Sequence, residues 1–313
     1  MQIHRDLTTL PTFKNAVVTI GSFDGVHAGH QEILKRVNSL AKEIGGESIL
    51  ITFHPHPRHV VYPDDTSLKL LTTVEEKAAL LEKYGLNHMV VVNFTMAFSR
   101  QSPDEYIKNF LIEKFQPKKI VIGYDHKFGN KRSGDIEYLK RFEEEFGYSV
   151  QEISKQAIED IAISSTKVRR HLLDGNIENA TALLNHRFIL TGTVVKGKQI
   201  GTEIGFPTAN IEVFAPHKLI PAVGIYAVLV VVKGTSYKGM LYIGKSLDNE
   251  KQTIEVNIFD FEADIYEQEI QLEFVAFMRE DLRFHNMEEL RFQLEKDRRV
   301  VRFLFKDKNL LDD

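Results

Sequence analysis

The feature that most constrains the fold of this chain is a change of period near residue 185. Upstream, short apolar runs rich in β-branched residues alternate with stretches whose apolar residues recur at helical spacing. Downstream, β-rich runs follow one another with Gly, Pro, Asn and Asp between them. Strands separated by segments long enough to hold crossover helices pair in parallel and carry helices on both faces of the sheet. Strands joined by turns pair antiparallel, and a small set of them closes into a barrel. The chain of 313 residues is therefore expected to form two domains. Residues 1–185 read as a doubly wound α/β sheet, and residues 186–313 as a small antiparallel β-barrel closed by a charged helix near Met287–Phe303.

Strands are predicted near Ala16–Ile20, Ser48–Phe53, His88–Asn93, Lys119–Gly123 and Tyr148–Glu152, then at Phe188–Val195, Ile225–Val232, Met240–Gly244, Thr253–Phe259 and Glu269–Phe277. One helix start is legible residue by residue: Ser102 caps, Pro103 takes the first helical position and Glu105 closes a capping box. The longest apolar run, Ala222–Val232, is too short to cross a bilayer as a helix and reads as a barrel strand. A formal charge of −4 argues against nucleic acid as the main partner, and the absence of cysteine excludes disulfides and thiolate metal sites. No N-terminal segment has the pattern of a signal peptide. The expectation is a cytoplasmic protein that works on small molecules, with neither membrane nor nucleic acid as partner.

Between the first strand and the helix that follows lies GSFDGVHAGH, Gly21 to His30, which holds three of the 19 glycines and two histidines three residues apart. Ile33, Leu34, Val37, Leu40, Ala41 and Ile44 then recur at helical spacing, so the stretch is a strand-to-helix turn. Such a turn offers unpaired amides and the positive end of a helix dipole, which suits a phosphate. His27 and His30 flank the helix start, where both could donate to a phosphate chain and stabilise charge as a P–O bond breaks. Two other readings exist. The glycines serve a tight turn with incidental histidines, or His27 and His30 join His54 and His56 as metal ligands, although no H-E-x-x-H pattern accompanies them.

GSFDGVHAGH resembles the G-x-F-D-G-x-H-x-G-H signature of nucleotidyltransferases, and in detail that of bacterial bifunctional riboflavin kinase/FMN adenylyltransferases, the FAD synthetases. Four further stretches carry the resemblance in the same order: FHPHPR (Phe53–Arg58), GYDHKFGNKRSGD (Gly123–Asp135), ISSTKVRRHL (from Ile163) and GFPTAN (Gly205–Asn210), the last followed by TIEVNIFDF (Thr253–Phe261). The resemblance implies a Rossmann-like nucleotidyltransferase sheet followed by a riboflavin kinase barrel. It further implies ATP or phosphate contacts from Gly21, Phe23, Gly29, Ser164, Ser165, Thr166, Arg169 and Gly205, and flavin contacts from Asp24, Asp125 and Phe128. Thr208 and Asn210 would hold Mg²⁺ and ATP phosphates, and Glu255 would be the kinase base. Apart from the resemblance, a Ser or Thr at 164–166 can cap a helix with Arg169 one turn inside. Strand alternation sets Glu255, Asn257 and Phe259 on one face and Ile254, Val256 and Ile258 on the other, so the carboxylate points away from the apolar side.

The implied activity is phosphorylation of riboflavin to FMN and adenylylation of FMN to FAD, with ATP consumed and Mg²⁺ as cofactor. Departures fall mostly in the kinase half: Thr202 stands where the family has arginine, YIGKSLDNE follows a different pattern after Gly244, Glu267 replaces a turn glycine, and Asn185 replaces another. They leave open an adenylyltransferase whose barrel binds flavin without turnover, or a flavin- or nucleotide-sensing module. Retention of Glu255 and both histidines weighs against the sensor.

Overall fold

The computed structural model describes residues 1–123, 126–153, 165–197, 201, 205–245 and 252–307. The chain forms two compact units, Met1–Thr166 and Lys167–Asp313.

The first unit is built on a six-stranded sheet of β1 (Gln2–His4), β2 (Val17–Ile20), β3 (Ser48–His54), β4 (His88–Asn93), β5 (Lys119–Gly123) and β6 (Ser149–Ile153), in spatial order β1-β4-β3-β2-β5-β6. Every pairing is parallel. The β2 and β4 side chains are buried apart from Asn93, as expected of strands covered on both faces. β1 has only three residues and was not predicted, because an edge strand this short carries no periodicity of its own. Strand order reverses at β2, whose neighbours are β3 on one side and β5 on the other. Ligands of open α/β sheets bind in the crevice at such a reversal, beyond the carboxyl ends of the strands. The turn Gly21–His30 leaves the sheet there.

Helix α1 (Ala28–Glu43) follows this turn and buries Ile33, Leu34, Val37, Leu40 and Ala41, five of the six residues whose spacing predicted it, while Ile44 is the C-cap. Helix α2 (Val74–Lys83) begins at a capping box made by Thr73 and Glu76. The predicted Ser102 cap is also present, with the Glu105 amide donating to Ser102 Oγ at 3.2 Å and the Ser102 amide donating to Glu105 Oε2 at 2.7 Å.

In the second unit β7 (Ile189–Val195), β8 (Ala209–Glu212), β9 (Gly224–Val232), β10 (Thr235–Lys245), β11 (Gln252–Ile258) and β12 (Glu269–Arg279) close a barrel in the order β10-β11-β8-β7-β12-β9. The pairings are antiparallel. β8 was missed, since it has only four residues, the first two of them the end of GFPTAN, and only Ile211 is buried. Two helical stretches precede the barrel, α3 (165–173) and α4 (Ile177–Leu184). The Ala222 amide donates to the Leu172 carbonyl at 3.0 Å, and the Phe277 ring lies 3.3 Å from where a Cβ on Gly175 would sit. Residues 167–185 thus pack with the barrel that follows them, although their helical period matches the first half of the chain.

The closing helix, α5 (Met287–Asp307), lies on the outer face of the barrel. Val301 and Phe305 are buried there with Ile225, Ala227, Leu229, Met240 and Phe259. A pair of low exposure, Arg279 to Asp297 at 2.7 Å with Gln293 donating to the same carboxylate at 2.8 Å, fixes the helix against β12.

Candidate functional site

In the first unit the turn after β2 is held in an uncommon backbone conformation. Phe23 has φ +46°, Gly25 +82° and Val26 +41°, the last a β-branched residue for which this region is strained. The strain is over-determined by contacts from one neighbouring segment. Asp24 is 5% exposed and its carboxylate accepts from the Leu71 amide at 2.9 Å and the Thr72 amide at 3.1 Å. The Gly25 amide donates to Thr72 Oγ1 at 3.1 Å. Lys77, on α2, donates through Nζ to the Ser22 carbonyl at 2.6 Å and to Thr52 Oγ1 at 3.2 Å. Gly21 continues the strand edge through its amide, which donates to Ile51 at 3.0 Å.

His27 caps α1, its Nδ1 accepting from the His30 amide at a long 3.4 Å. The two imidazoles stack with ring centres 3.7 Å apart, and Phe23 stacks on the far side of His30 at 4.5 Å. Both histidines are buried, whereas Ala28 is exposed and Gly29 half-exposed at the first helical positions. The helix therefore opens its first turn to solvent above a stack of three rings. Burial, with the nearby His27 and Lys77 charges, holds His30 well below its usual pKa, so its ring is neutral near pH 7. His30 Nδ1 is buried without a hydrogen-bond partner among the described residues. Face-to-face stacking does not converge the ring nitrogens on one point, and among the described residues no three His, Cys, Asp or Glu side chains are placed to hold a metal ion.

The other expected contacts of this half fall in three places. Phe128 is a core residue, 5% exposed and stacked on Tyr106 at 4.8 Å, and its backbone pairs with Gly134. Ser165, half-buried, and Thr166, exposed, are helical residues at the start of α3, with the half-buried Arg169 one turn on. Asp125 and Ser164 lie outside the described residues, as do Thr202 and the altered segment 246–250 of the other half.

In the barrel, β11 pairs with β10 on one side and β8 on the other, so that Glu255 stands opposite Tyr242 and opposite Asn210. Directly opposed residues project to the same face. Gly205, at φ +79°, turns the chain into Phe206–Thr208, and Thr208 Oγ1 donates to Glu255 Oε2 at 3.1 Å. Thr208, Asn210 and Glu255 thus share one face of the β8–β11 pair. That face is the outside of the barrel, and it is lined by apolar residues further along, where Phe259 is covered by α5. Glu255 is accordingly half-buried rather than solvated.

Four supporting residues were not singled out in the sequence. Asn257, 7% exposed, donates to the Pro207 carbonyl at 2.7 Å and holds the turn that carries Thr208. The Arg298 guanidinium lies over the Phe206 ring at 4.7 Å, tying the same turn to α5. Tyr242 donates to Asp281 at 3.2 Å, and burial together with the Asp281 and Glu255 charges pushes its hydroxyl up to about 12. Lys77 is the fourth, and a signal for it existed: it sits on the buried stripe of α2 with Val74, Ala78 and Leu81, where an unpaired lysine is out of place.

Comparison with known proteins agrees with this division. Residues 10–167 match the FAD synthetase family and residues 184–305 the riboflavin kinase family. The bifunctional riboflavin kinase/FMN adenylyltransferase of Listeria monocytogenes is 37% identical, with 97% of each chain covered. The proteins of the same description from Bacillus subtilis and Escherichia coli K12 are 34% and 31% identical, with 90% and 93% of each chain covered. A solved structure from Streptococcus pneumoniae, described as a macrolide-efflux protein, superposes with a TM-score of 0.83 at 30% identity over 96% of this chain and 98% of its own. Among the described residues no helix is long and apolar enough to cross a membrane.

Proposed function

The chain belongs to the family of bifunctional riboflavin kinase/FMN adenylyltransferases, enzymes of flavin cofactor synthesis, and from that premise we propose that each unit carries one of the two reactions on the residues described above. The observation that supports this most is Thr208, Asn210 and Glu255 on one face of the barrel, because base and phosphate ligands must stand within reach of one hydroxyl.

In the barrel, Glu255 takes the proton of the ribityl hydroxyl as its oxygen attacks the γ-phosphorus of ATP, and ADP leaves. Thr208 and Asn210 face the phosphates, and Gly205 gives their turn its left-handed bend. The Thr208 hydroxyl and the Asn210 amide oxygen are hard donors that suit Mg²⁺, an ion that keeps several waters and shares phosphate oxygens. Bound there, it would neutralise charge on the transferring group.

In the α/β unit, a phosphate oxygen of FMN attacks the α-phosphorus of a second ATP and pyrophosphate leaves. The substrate is already an anion, so no enzyme nucleophile is required, and the protein supplies position and charge stabilisation. The amides of Ala28 and Gly29, aligned with the helix dipole, receive phosphate oxygens. His27 and His30 donate from below, His30 as a neutral imidazole and therefore through a single N–H. Gly21 and Phe23 shape the turn, and Ser164, Ser165, Thr166 and Arg169 bind the triphosphate. Asp24 acts on flavin and nucleotide through the turn it fastens, Phe128 through the loop it anchors, and Asp125 by direct contact. Consumption of ATP by a chain without cysteine suits the cytoplasm.

The test is to incubate the purified chain with riboflavin, ATP and Mg²⁺ and to separate the flavins by chromatography. FMN followed by FAD is expected. FAD only when FMN is supplied would reduce the barrel to a binding module, and neither product would refute both reactions.

A further inference from the structure

Resting on the adenylyl-transfer reading above, we propose that Lys77 is a positioning residue for that reaction, an ammonium enclosed beneath the β2–α1 turn that sets the Ser22–Phe23 peptide so that the Phe23 amide faces the triphosphate. Three observations carry this. Lys77 is 6% exposed, and its Nζ bridges the Ser22 carbonyl at 2.6 Å and Thr52 Oγ1 at 3.2 Å, joining the turn to the end of β3. In a trans peptide the carbonyl and the next N–H point in opposite directions, so a Ser22 carbonyl drawn down to Lys77 sends the Phe23 N–H away from it. That N–H has no hydrogen-bond partner among the described residues. An unbonded amide in a turn of positive φ offers a donor to an anion.

The segment that carries Lys77 also grips the turn elsewhere. Residues 71 and 72 hold the Asp24 carboxylate, and Thr72 Oγ1 holds the Gly25 amide. Residues 71–77 thus form a clamp on Ser22, Asp24 and Gly25, all ahead of the histidine stack. A neutral donor would satisfy the Ser22 carbonyl at smaller desolvation penalty, since burial lowers the Lys77 ammonium to about 8 even with Asp24 supporting its charge. The titratable groups that face it are Asp24 in the turn, which supports its charge, and the neutral His30 on α1. A cation kept there adds positive potential under the site where a triphosphate gathers charge.

The test compares wild type, Lys77→Met and Lys77→Arg as full chains, titrating ATP in FAD formation from FMN. Riboflavin phosphorylation by the same samples serves as the reference for correctly folded protein. Lys77→Met, similar in length but without charge or donor, should lose about a hundredfold in kcat/KM for ATP, the scale of losing preorganised positioning. Its KM for FMN and its riboflavin phosphorylation should stay within about twofold of wild type, a margin too small to reflect a lost contact. Lys77→Arg should recover at least about a tenfold part of the loss, because it restores a donor and a charge. Wild-type FAD formation should decline as pH rises through about 8, and the arginine variant should not share that decline. Met-variant kinetics like wild type would overturn the proposal, as would a loss that arginine leaves unchanged while the wild type shows no decline near pH 8. If wild type itself makes no FAD, the adenylyl-transfer reading fails, an outcome distinct from FAD formation indifferent to position 77.

Discussion

Replacing Glu255 by glutamine separates a catalytic barrel from one that only binds flavin. In the structure Glu255 Oε2 accepts from Thr208 Oγ1 at 3.1 Å, and a glutamine amide oxygen can accept the same bond. What changes locally is the difference between a charge-assisted and a neutral hydrogen bond, about 1 kcal/mol. In a unit of this size that corresponds to a fall in Tm of about 2–4 °C. Loss of the base should instead lower riboflavin phosphorylation by about 10²- to 10⁴-fold, or about 3–5 kcal/mol in the barrier. The two magnitudes are far enough apart to be resolved. The assay is steady-state FMN formation, with riboflavin affinity followed by quenching of flavin fluorescence and stability by thermal unfolding. Affinity should change little, because the base is used chiefly in the transition state. FAD formation from supplied FMN should continue unchanged. Phosphorylation within a few-fold of wild type would refute the assignment and leave Glu255 as a hydrogen-bond acceptor that holds the Thr208 turn.

His30→Ala should cut FAD formation by about a hundredfold or more, the scale for a donor aimed at developing charge, while FMN formation survives; equal loss of both activities would point to misfolding. The fragment Lys167–Asp313 should phosphorylate riboflavin without making FAD, and it should melt above fragment 186–313, which strips the buried Leu172, Ile177, Ala180 and Leu184 from the barrel; equal melting temperatures would refute the assignment of 167–185 to the second unit. Acid should destabilise the first unit. Burial and the Arg132 charge lower His126 from 6.5 to about 4, so below pH 6.5 the unfolded chain takes up a proton that the folded chain refuses. Stability is full above pH 6.5 and falls toward pH 4, by about 2 kcal/mol at pH 5 from His126 alone, and further from His30, which is lowered in the same direction. A first thermal transition unchanged between pH 7 and pH 5 would contradict this.

The α/β and barrel architectures were readable along the chain because they depend on period. Apolar runs at 16–18, 49–51 and 89–92 mark strands without reference to the rest of the molecule, and the helical spacing from Ile33 marks α1. Where an element has too few residues to show a period, the sequence is silent, and β1 and β8 were missed for that reason. Residues 165–185 have helical spacing, which states what they are and leaves open which unit they join. They found partners in Ala222, Phe277 and β12, and only packing records that.

The same distinction governs the candidate sites. By itself the sequence determined the chemistry available: a phosphate-ready turn with two histidines, a capped helix with an arginine, and a Thr, Asn and Glu in two separate β-rich stretches. These are local properties of residue type and spacing. Tertiary structure decided what each group faces. It turned Asp24 inward onto the Leu71 and Thr72 amides, set Phe128 in the core, stacked His27 on His30, and raised Lys77 from a helical residue to the underside of the turn. It also joined Thr208 to Glu255 across 47 residues of chain. Burial, ring stacking and strand register are relations between distant residues, and they come into being when the sheet and barrel close.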